Sequence, residues 1–160
     1  MRTIALLLLM FVAVSVASAE PFVVIVRHAE RDTNDPKDPD ITAAGRARAE
    51  ALAGILKEAK ITAIFATEFK RTQETAAPIA KATGITPTIV GGKDIATIIS
   101  KLHQLTGNAL VVAHGNTIPD IIKALGIDTP VQIPDDEYND LFVVTLSAKA
   151  QLLRLRYSAL

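Results

Sequence analysis

The sequence predicts an α/β fold, in which a three-layer α/β/α sandwich is built on a mostly parallel sheet. Continuous β-branched runs at residues 22–26 and 109–113 are typical of strands that are buried on both faces. Helical patterns follow the strands through four successive units, and this alternation gives parallel neighbours with helices on both faces of the sheet. A chain of 160 residues with 49% hydrophobic and 21% charged residues suits one globular domain.

Composition excludes several kinds of function. The chain has 17 basic and 17 acidic residues, so no net positive field favours nucleic acid or an anionic membrane surface. It has no Cys, which excludes disulfides, thiol nucleophiles and metal sites built on thiolates. With no Trp and 4% aromatic residues, it offers little for the stacking of single-stranded bases.

The first 19 residues are predicted to be a signal peptide. Arg2 precedes an apolar run over residues 4–16, and Ala17-Ser18-Ala19 offers the small residues that a signal peptidase recognises. A retained membrane anchor is the alternative, but the run is shorter than the roughly 20 apolar residues of a bilayer span. We therefore expect cleavage after Ala19, export to the periplasm or the extracellular space, and a mature domain of residues 20–160 without stable membrane insertion.

The first half of this domain is predicted to contain three strands and two helices. A loop rich in Asp, Asn and Pro follows the first strand over residues 30–40. Thr42 is a suitable N-cap for a helix that extends to about Lys60. The apolar stripe of this helix consists of Leu52, Ile55, Leu56 and Ala59. The next elements are a strand at 61–66, a helix at 70–83 closed by Gly84, and a short strand at 86–90.

The second half is predicted to contain two more helices and three strands. Asp94 is expected to cap a helix whose apolar face consists of Ile95, Ile98, Ile99 and Leu102. The strand at 109–113 leads into a helix that begins near Thr117 and carries Ile118, Ile121, Ile122 and Leu125 on one face. Two closing strands, at 141–146 and 151–157, are predicted to form a hairpin across residues 147–150.

Two histidines follow strands that we expect to be parallel neighbours. His28 comes after the first strand and His114 after the fourth, and ligands of open α/β sheets bind beyond the carboxyl ends of the strands. Arg27 and Arg71 belong to the same rim, and the planar guanidinium group matches phosphate oxygens. The helix start near Thr117 is expected to add backbone N–H groups for an anion. The residues therefore predict a phosphate pocket.

The predicted chemistry is phosphoryl transfer through histidine. Nearby cations disfavour the protonation of a histidine, and a neutral imidazole can act as a nucleophile. We expect a phosphohistidine on His28, which water then hydrolyses. A zinc site on His28 and His114 is the alternative, but Cys and carboxylate partners are lacking beside them. No metal and no cofactor is therefore predicted.

Four motifs occur in order along the chain: Val26-Arg27-His28-Ala29-Glu30, Thr42-x-x-Gly45, Arg71-Thr72-x-x-Thr75-Ala76 and Val112-Ala113-His114-Gly115-Asn116-Thr117. Together they resemble the histidine phosphatase superfamily, of phosphoglycerate-mutase-like fold, and in particular its small single-domain bacterial branch. The resemblance extends over the mature chain, including its closing segment at residues 138–144. Two departures are Ala29, where the family usually has Gly, and the lack of the large insertion that carries specificity in bigger members.

The resemblance implies a role for several residues of this chain. His28 would be the phosphate acceptor, and Arg27, Arg71 and His114 would complete the phosphate pocket. Asn34 would be a further phosphate ligand because many members have Asn six residues after the nucleophile, although it equally suits an ordinary turn.

The group that protonates the leaving oxygen has several candidates. Glu30 is our first choice as a catalytic acid, and its alternative role is to hold Arg27 or Arg71. Asp94 and Asp120 are further candidates, but an N-cap and a favourable helix dipole explain these two equally well. His103 is interpreted as a surface residue, and the loop at 32–40 as solvated, because it lacks the glycine and terminal Glu of a calcium loop.

The prediction is an exported phosphatase that hydrolyses a small phosphomonoester through a phosphohistidine on His28. A phosphoglycerate-mutase-type phosphotransferase is less favoured, because this short chain lacks a cover that would retain an intermediate. A phosphohistidine phosphatase suits the size of the chain, but that role is cytosolic and the signal peptide opposes it. A non-catalytic protein that binds a phosphorylated ligand is the remaining alternative.

Overall fold

The structure is a computed structural model that describes residues 20–159, so the predicted signal peptide lies outside the described residues. The strands are β1 (Phe22–Arg27), β2 (Ile61–Thr67), β3 (Thr88–Val90), β4 (Asn108–Ala113), β5 (Asp140–Thr145) and β6 (Leu152–Arg156). The helices are α1 (Ala43–Ile55), α2 (Lys70–Thr83), α3 (Ile95–Leu102) and α4 (Ile118–Ala124). Across this range, none of the helices has the length and apolarity that crossing a membrane requires.

The six strands form one sheet in the order β3-β2-β4-β1-β5-β6. β1 and β2 both pair in parallel with the central strand β4, and β3 pairs in parallel with β2. β5 runs antiparallel to β1, and β6 returns beside it as the predicted hairpin. The carboxyl ends of β1, β2 and β4 therefore meet at one edge of the sheet.

Helices cover both faces of the sheet, and the side chains of β1 pack alternately against the two helical layers. Val24 and Val26 pack in one apolar cluster with Leu52 of α1 and Ile79 of α2. Val23 and Ile25 point to the opposite face and belong to a second cluster, which includes Ile98, Leu102, Ile118 and Ile121 of α3 and α4. This arrangement confirms the predicted α/β/α sandwich, and double-sided burial explains the unbroken β-branched runs.

The predicted capping residues do begin or end helices in the structure. The Thr42 hydroxyl accepts a hydrogen bond from the Gly45 N–H (3.0 Å), and the Asp94 carboxylate accepts one from the Thr97 N–H (3.1 Å). Gly84 closes α2 with a φ of 72°, a left-handed conformation that glycine adopts without steric cost.

Three predicted elements are shorter in the structure, and β6 loses one residue at each end. α1 ends at Ile55 instead of Lys60, because the chain turns through residues 56–60, with Lys60 at a φ of 50°, to enter β2. Ile55 is 52% exposed and does not belong to the buried stripe, which retains Leu52 and Leu56. β3 begins at Thr88, two residues later than predicted, and pairs with β2 over three residues.

The start of α1 packs tightly against the backbone that follows β1. The Thr42 N–H donates to the Glu30 carbonyl oxygen (2.8 Å), so the helix end and the loop after His28 are joined directly. A Cβ atom on Gly45 would lie 2.6 Å from that same carbonyl oxygen and 3.0 Å from Ile41 Cβ. The Thr42-x-x-Gly45 motif is therefore a packing requirement that fixes the loop beside the site.

Two glycines of α1 provide a matched test of this contact. We expect Gly45→Ala to lower the free energy of unfolding by about 1–3 kcal/mol, because the new methyl group overlaps buried backbone. Gly54→Ala should raise it by up to about 1 kcal/mol, since its Cβ meets no atom within 4 Å and Ala favours the helix. Urea unfolding followed by circular dichroism measures both, and equal effects of the two substitutions would contradict the packing argument.

Candidate active site

The parallel pairing of β1 with β4 brings His28 and His114 together. Arg27 is in register with Ala113, and the His28 N–H donates to the Ala113 carbonyl oxygen (2.9 Å). The two imidazole rings lie edge to face, with centroids 5.4 Å apart. Both side chains are buried beneath the rim that the sequence predicted.

The ring of His28 is held in one tautomer. Its Nδ1 lies 2.8 Å from the Ala29 carbonyl oxygen, which accepts hydrogen bonds and cannot donate, so Nδ1 carries the proton. The Nε2 atom therefore has the free lone pair. The Ala29 N–H in turn donates to the Thr75 hydroxyl (2.9 Å), which ties this turn to α2.

Burial keeps the His28 imidazole neutral. Desolvation is the main cause that lowers the pKa of His28 from 6.5 to about 3. The bond to Ala29 opposes this shift, and the charges near His28 add to it in the order His114, Arg27 and Arg71. The sequence predicted the direction from the arginines, but burial is the larger cause.

His114 is positioned by two threonines. Its Nε2 lies 3.0 Å from the Thr67 hydroxyl at the end of β2, and that hydroxyl lies 3.0 Å from the hydroxyl of Thr72 in α2. Burial, followed by the charge of Arg71, lowers the pKa of His114 to about 4, while Glu68 opposes the shift. Both imidazoles are therefore neutral near pH 7.

Arg27 is anchored by carbonyl groups. Its Nη1 donates to the carbonyl oxygens of Pro134, Asp135 and Glu137, at 2.9–3.0 Å. The guanidinium carbon lies 4.3 Å from the centre of the Tyr138 ring. Its buried Nε has no hydrogen-bond partner among the described residues and is an unsatisfied donor.

Arg71 presents a second cation to the same place. Its guanidinium carbon lies 4.3 Å from the centre of the Phe69 ring, and its Nη1 lies 3.8 Å from an oxygen of Asp38. The buried Nε of Arg71 also lacks a partner among residues 20–159. Burial lowers the pKa of Arg71 against the opposing effect of Asp38, and the charge of Arg31 lowers it further. The Nε–H groups of Arg27 and Arg71 are therefore two buried donors that lack a partner among the described residues.

A cavity of about 600 Å³ opens beside His114, between the start of α2 and the loop from β3 to α3. Its lining includes Glu68, Phe69, Arg71, Gly92, Lys93 and Asn116. No sequence motif indicated a role for Glu68 or Phe69, and Tyr138 stood out only as the first residue of the closing segment at 138–144. Glu68 could have been found by the rule that identified the histidines, because it directly follows the last residue of a parallel strand.

The structure does not support Glu30 as the catalytic acid. Its carboxylate is paired with Arg48 of α1 through contacts of 2.6, 2.9 and 3.0 Å, and neither Arg27 nor Arg71 bonds to it. Partial burial is the largest single effect and raises the pKa of Glu30, but the hydrogen bond from Arg48, the hydrogen bond from its own backbone N–H and the charge of Arg48 together hold the pKa below its ordinary value. The carboxylate therefore stays ionised and is occupied by Arg48.

The structure also does not bring Asn34 to the phosphate pocket. Its amide donates to an Asp40 carboxylate oxygen (2.8 Å) and accepts from the Asp40 N–H (3.3 Å), both exposed contacts. This is the ordinary turn that the sequence left open as the alternative. Asp94 caps α3, and hydrogen bonding from the side chain and backbone N–H of Thr97 lowers its pKa. Asp120 lies exposed in the first turn of α4.

The start of α4 offers fewer free N–H groups than predicted. The N–H groups of Thr117 and Ile118 both donate to the His114 carbonyl oxygen (3.0 Å each), and Pro119 has no N–H. The turn closes on itself, so it supplies no free donors from these residues. His103 lies exposed at the end of α3, as predicted. Between residues 20 and 159, no three His, Asp or Glu side chains are grouped as metal ligands.

Comparison with known proteins supports the resemblance that the motifs indicated. The model of the histidine phosphatase superfamily (branch 1) matches residues 23–92, which contain the first three motifs. The protein histidine phosphatase SixA complexed with tungstate is 18% identical, with a TM-score of 0.70 over 84% of this chain and 96% of that one. A mycobacterial glucosyl-3-phosphoglycerate phosphatase with inorganic phosphate is 16% identical, with a TM-score of 0.68 over 88% and 99%. No curated protein sequence matches the chain. The family resemblance and the fold class are thus confirmed.

The depressed histidine pKa values predict how stability depends on pH. Unfolded histidine takes up a proton near pH 6.5, whereas folded His28 does so only near pH 3, so unfolding binds protons between these values. The free energy of unfolding should therefore fall as pH is lowered from 6.5 towards 4. Each such histidine contributes a slope of up to about 1.4 kcal/mol per pH unit.

His28→Asn tests this contribution directly. Urea unfolding in phosphate-free buffers between pH 6 and 4.5 should give a shallower dependence on pH than the wild type shows, with His103→Asn as the surface control. A slope as steep as that of the wild type would mean that His28 is not held neutral by the fold.

Proposed function

We propose that this chain, whose fold and signature motifs are those of the histidine phosphatase superfamily, hydrolyses a phosphomonoester through a phosphohistidine on His28. One observation carries the proposal. A buried neutral imidazole with its lone pair on Nε2 lies beside two arginines that each retain an unbonded Nε–H. A nucleophile and two cations that can donate to phosphate oxygens therefore lie close together at the carboxyl edge of the sheet.

The first chemical step forms a bond between His28 Nε2 and phosphorus while the bond from phosphorus to the leaving oxygen breaks. The transferred group carries negative charge on its equatorial oxygens, and Arg27 and Arg71 stabilise this charge by hydrogen bonds. Water then attacks phosphorus, the N–P bond breaks, and its electron pair returns to Nε2. Because Nδ1 donates to Ala29 throughout, the ring keeps its orientation in both steps.

Similar structures support this assignment in general terms. SixA is a protein histidine phosphatase crystallised with tungstate, an oxyanion of phosphate-like shape, and the mycobacterial relative is a phosphatase crystallised with phosphate. Both match this fold over almost their whole length. We propose hydrolysis rather than mutase chemistry, because an intermediate can leave through the open cavity beside His114.

Export is a separate proposal, which rests on residues 1–19 alone. N-terminal sequencing of the protein recovered from the producing cell would find Glu20 first if the leader is removed as proposed. Met1 at the N-terminus of the recovered protein would contradict cleavage.

The proposed mechanism predicts that His28→Ala abolishes both turnover and a trapped intermediate. The assay is hydrolysis of p-nitrophenyl phosphate with a chelator present, followed by an alkaline quench and mass spectrometry of the peptide that contains His28. We expect wild-type turnover with phosphate on His28. If phosphate binds and protects the fold against heat while no turnover occurs, the chain is a non-catalytic binder.

Arg71→Ala should lower kcat/KM by about 100-fold or more, because one donor to the charged transition state is lost. The melting temperature should change little, since the Nε of Arg71 bonds to no described residue. Arg46→Ala, on the exposed side of α1, is the matched control. A variant that unfolds instead would show that Arg71 has a structural role.

A further inference from the structure

Glu68 occupies the position on β2 that the histidines occupy on their own strands. It directly follows Thr67, the last residue of β2, as His28 follows β1 and His114 follows β4. β2 lies next to β4 in the sheet, so Glu68 and His114 emerge at the same edge from neighbouring strands. The Glu68 N–H donates to the Val90 carbonyl oxygen (3.2 Å), which fixes its backbone beside the glycine loop after β3.

The carboxylate of Glu68 faces the same small space as the imidazole of His114. A methyl group placed on Gly92 would lie 3.3 Å from Glu68 Oε2 and 3.4 Å from His114 Nε2. The negative charge of Glu68 acts on both phosphate-binding neighbours, because it raises the pKa of His114 and of Arg71 against the effect of burial. Glu68, His114 and Arg71 therefore line the same cavity.

The other nearby carboxylates are already engaged. Glu30 is held by Arg48, and Asp94 by the N–H of Thr97. Asp38 accepts from the Lys70 N–H (2.9 Å) and lies beside Arg71. The carboxylate oxygens of Glu68, by contrast, accept no hydrogen bond from any residue in the described part of the chain, and the side chain is exposed to water.

We propose that Glu68 is the catalytic acid and base of this site, an assignment that rests on the proposed phosphatase function. In the first step its carboxyl group gives a proton to the leaving oxygen as the P–O bond breaks and the N–P bond to His28 forms. In the second step its carboxylate takes a proton from the attacking water as the N–P bond breaks. The product is inorganic phosphate, and the Glu68 carboxyl group is again protonated for the next cycle.

The test compares two leaving groups in Glu68→Gln. An alkyl leaving group such as that of glycerol phosphate needs a proton, whereas p-nitrophenolate leaves as a stable anion. We expect kcat/KM for glycerol phosphate to fall by about 100-fold or more, in the range of general acid catalysis. For p-nitrophenyl phosphate, kcat/KM should remain close to that of the wild type, because it reports the steps up to the formation of phosphohistidine.

Two further variants make the comparison specific. Glu50→Gln, on the exposed side of α1, should leave both substrates unaffected. Glu30→Gln, which weakens the pair with Arg48, should change both substrates by the same factor.

The outcomes separate this assignment from the function on which it rests. Equal losses with both substrates, no loss with either, or wild-type hydrolysis of the aryl ester alone would overturn Glu68 as the acid. In each of these cases the phosphohistidine on His28 would still form, and the phosphatase function would stand. Failure of the wild type to form phosphohistidine with p-nitrophenyl phosphate would overturn both.

Discussion

The parallel pairing of β1 with the central strand β4 is the constraint on which the site depends. It places His28 beside His114 although 86 positions separate them along the chain, and the pairing of β2 with β4 adds Glu68 to the same edge. This register is strongly determined because β1 is buried on both faces. A slip by one residue would exchange the sets that face α1 and α3, and every apolar contact of the strand would change.

The way in which Arg27 is anchored preserves its charge for a ligand. Carbonyl oxygens satisfy its Nη1, and they do so without supplying the full negative charge that a carboxylate would bring. Two carboxylates of the same segment are directed elsewhere: Asp140, which is 3% exposed, pairs with Arg154 (2.7 Å), and Glu137 pairs with Arg156 (3.2 Å). These pairs tie the segment to β6, so they hold the carbonyl groups in place around Arg27.

Sequence patterns predicted the sheet, the helices and the meeting of His28 and His114 at one edge of the sheet, because burial on both faces and strand ends leave local signals. These patterns did not predict features that depend on a contact between residues far apart in the sequence. Glu30 is close to His28 in sequence, but Arg48 of α1 holds its carboxylate, and no local pattern indicates that pairing. Glu68 looks like an ordinary surface residue before a helix, and its importance depends on Gly92, which reaches it only through the pairing of β3 with β2.

The site has two parts that are built differently, and Gly92 belongs to the second of them. Arg27, His28 and His114 are fixed by strand ends, whereas the wall of the cavity is formed by the glycine loop and the start of α2. Any side chain at Gly92 would contact Phe69 at 3.0 Å as well as Glu68 and His114, so the missing side chain keeps the entrance open. In the proposed mechanism the sheet edge would hold the reacting phosphate, while Lys93 of the glycine loop and Asn116 after β4 line the cavity that would receive the remainder of the substrate.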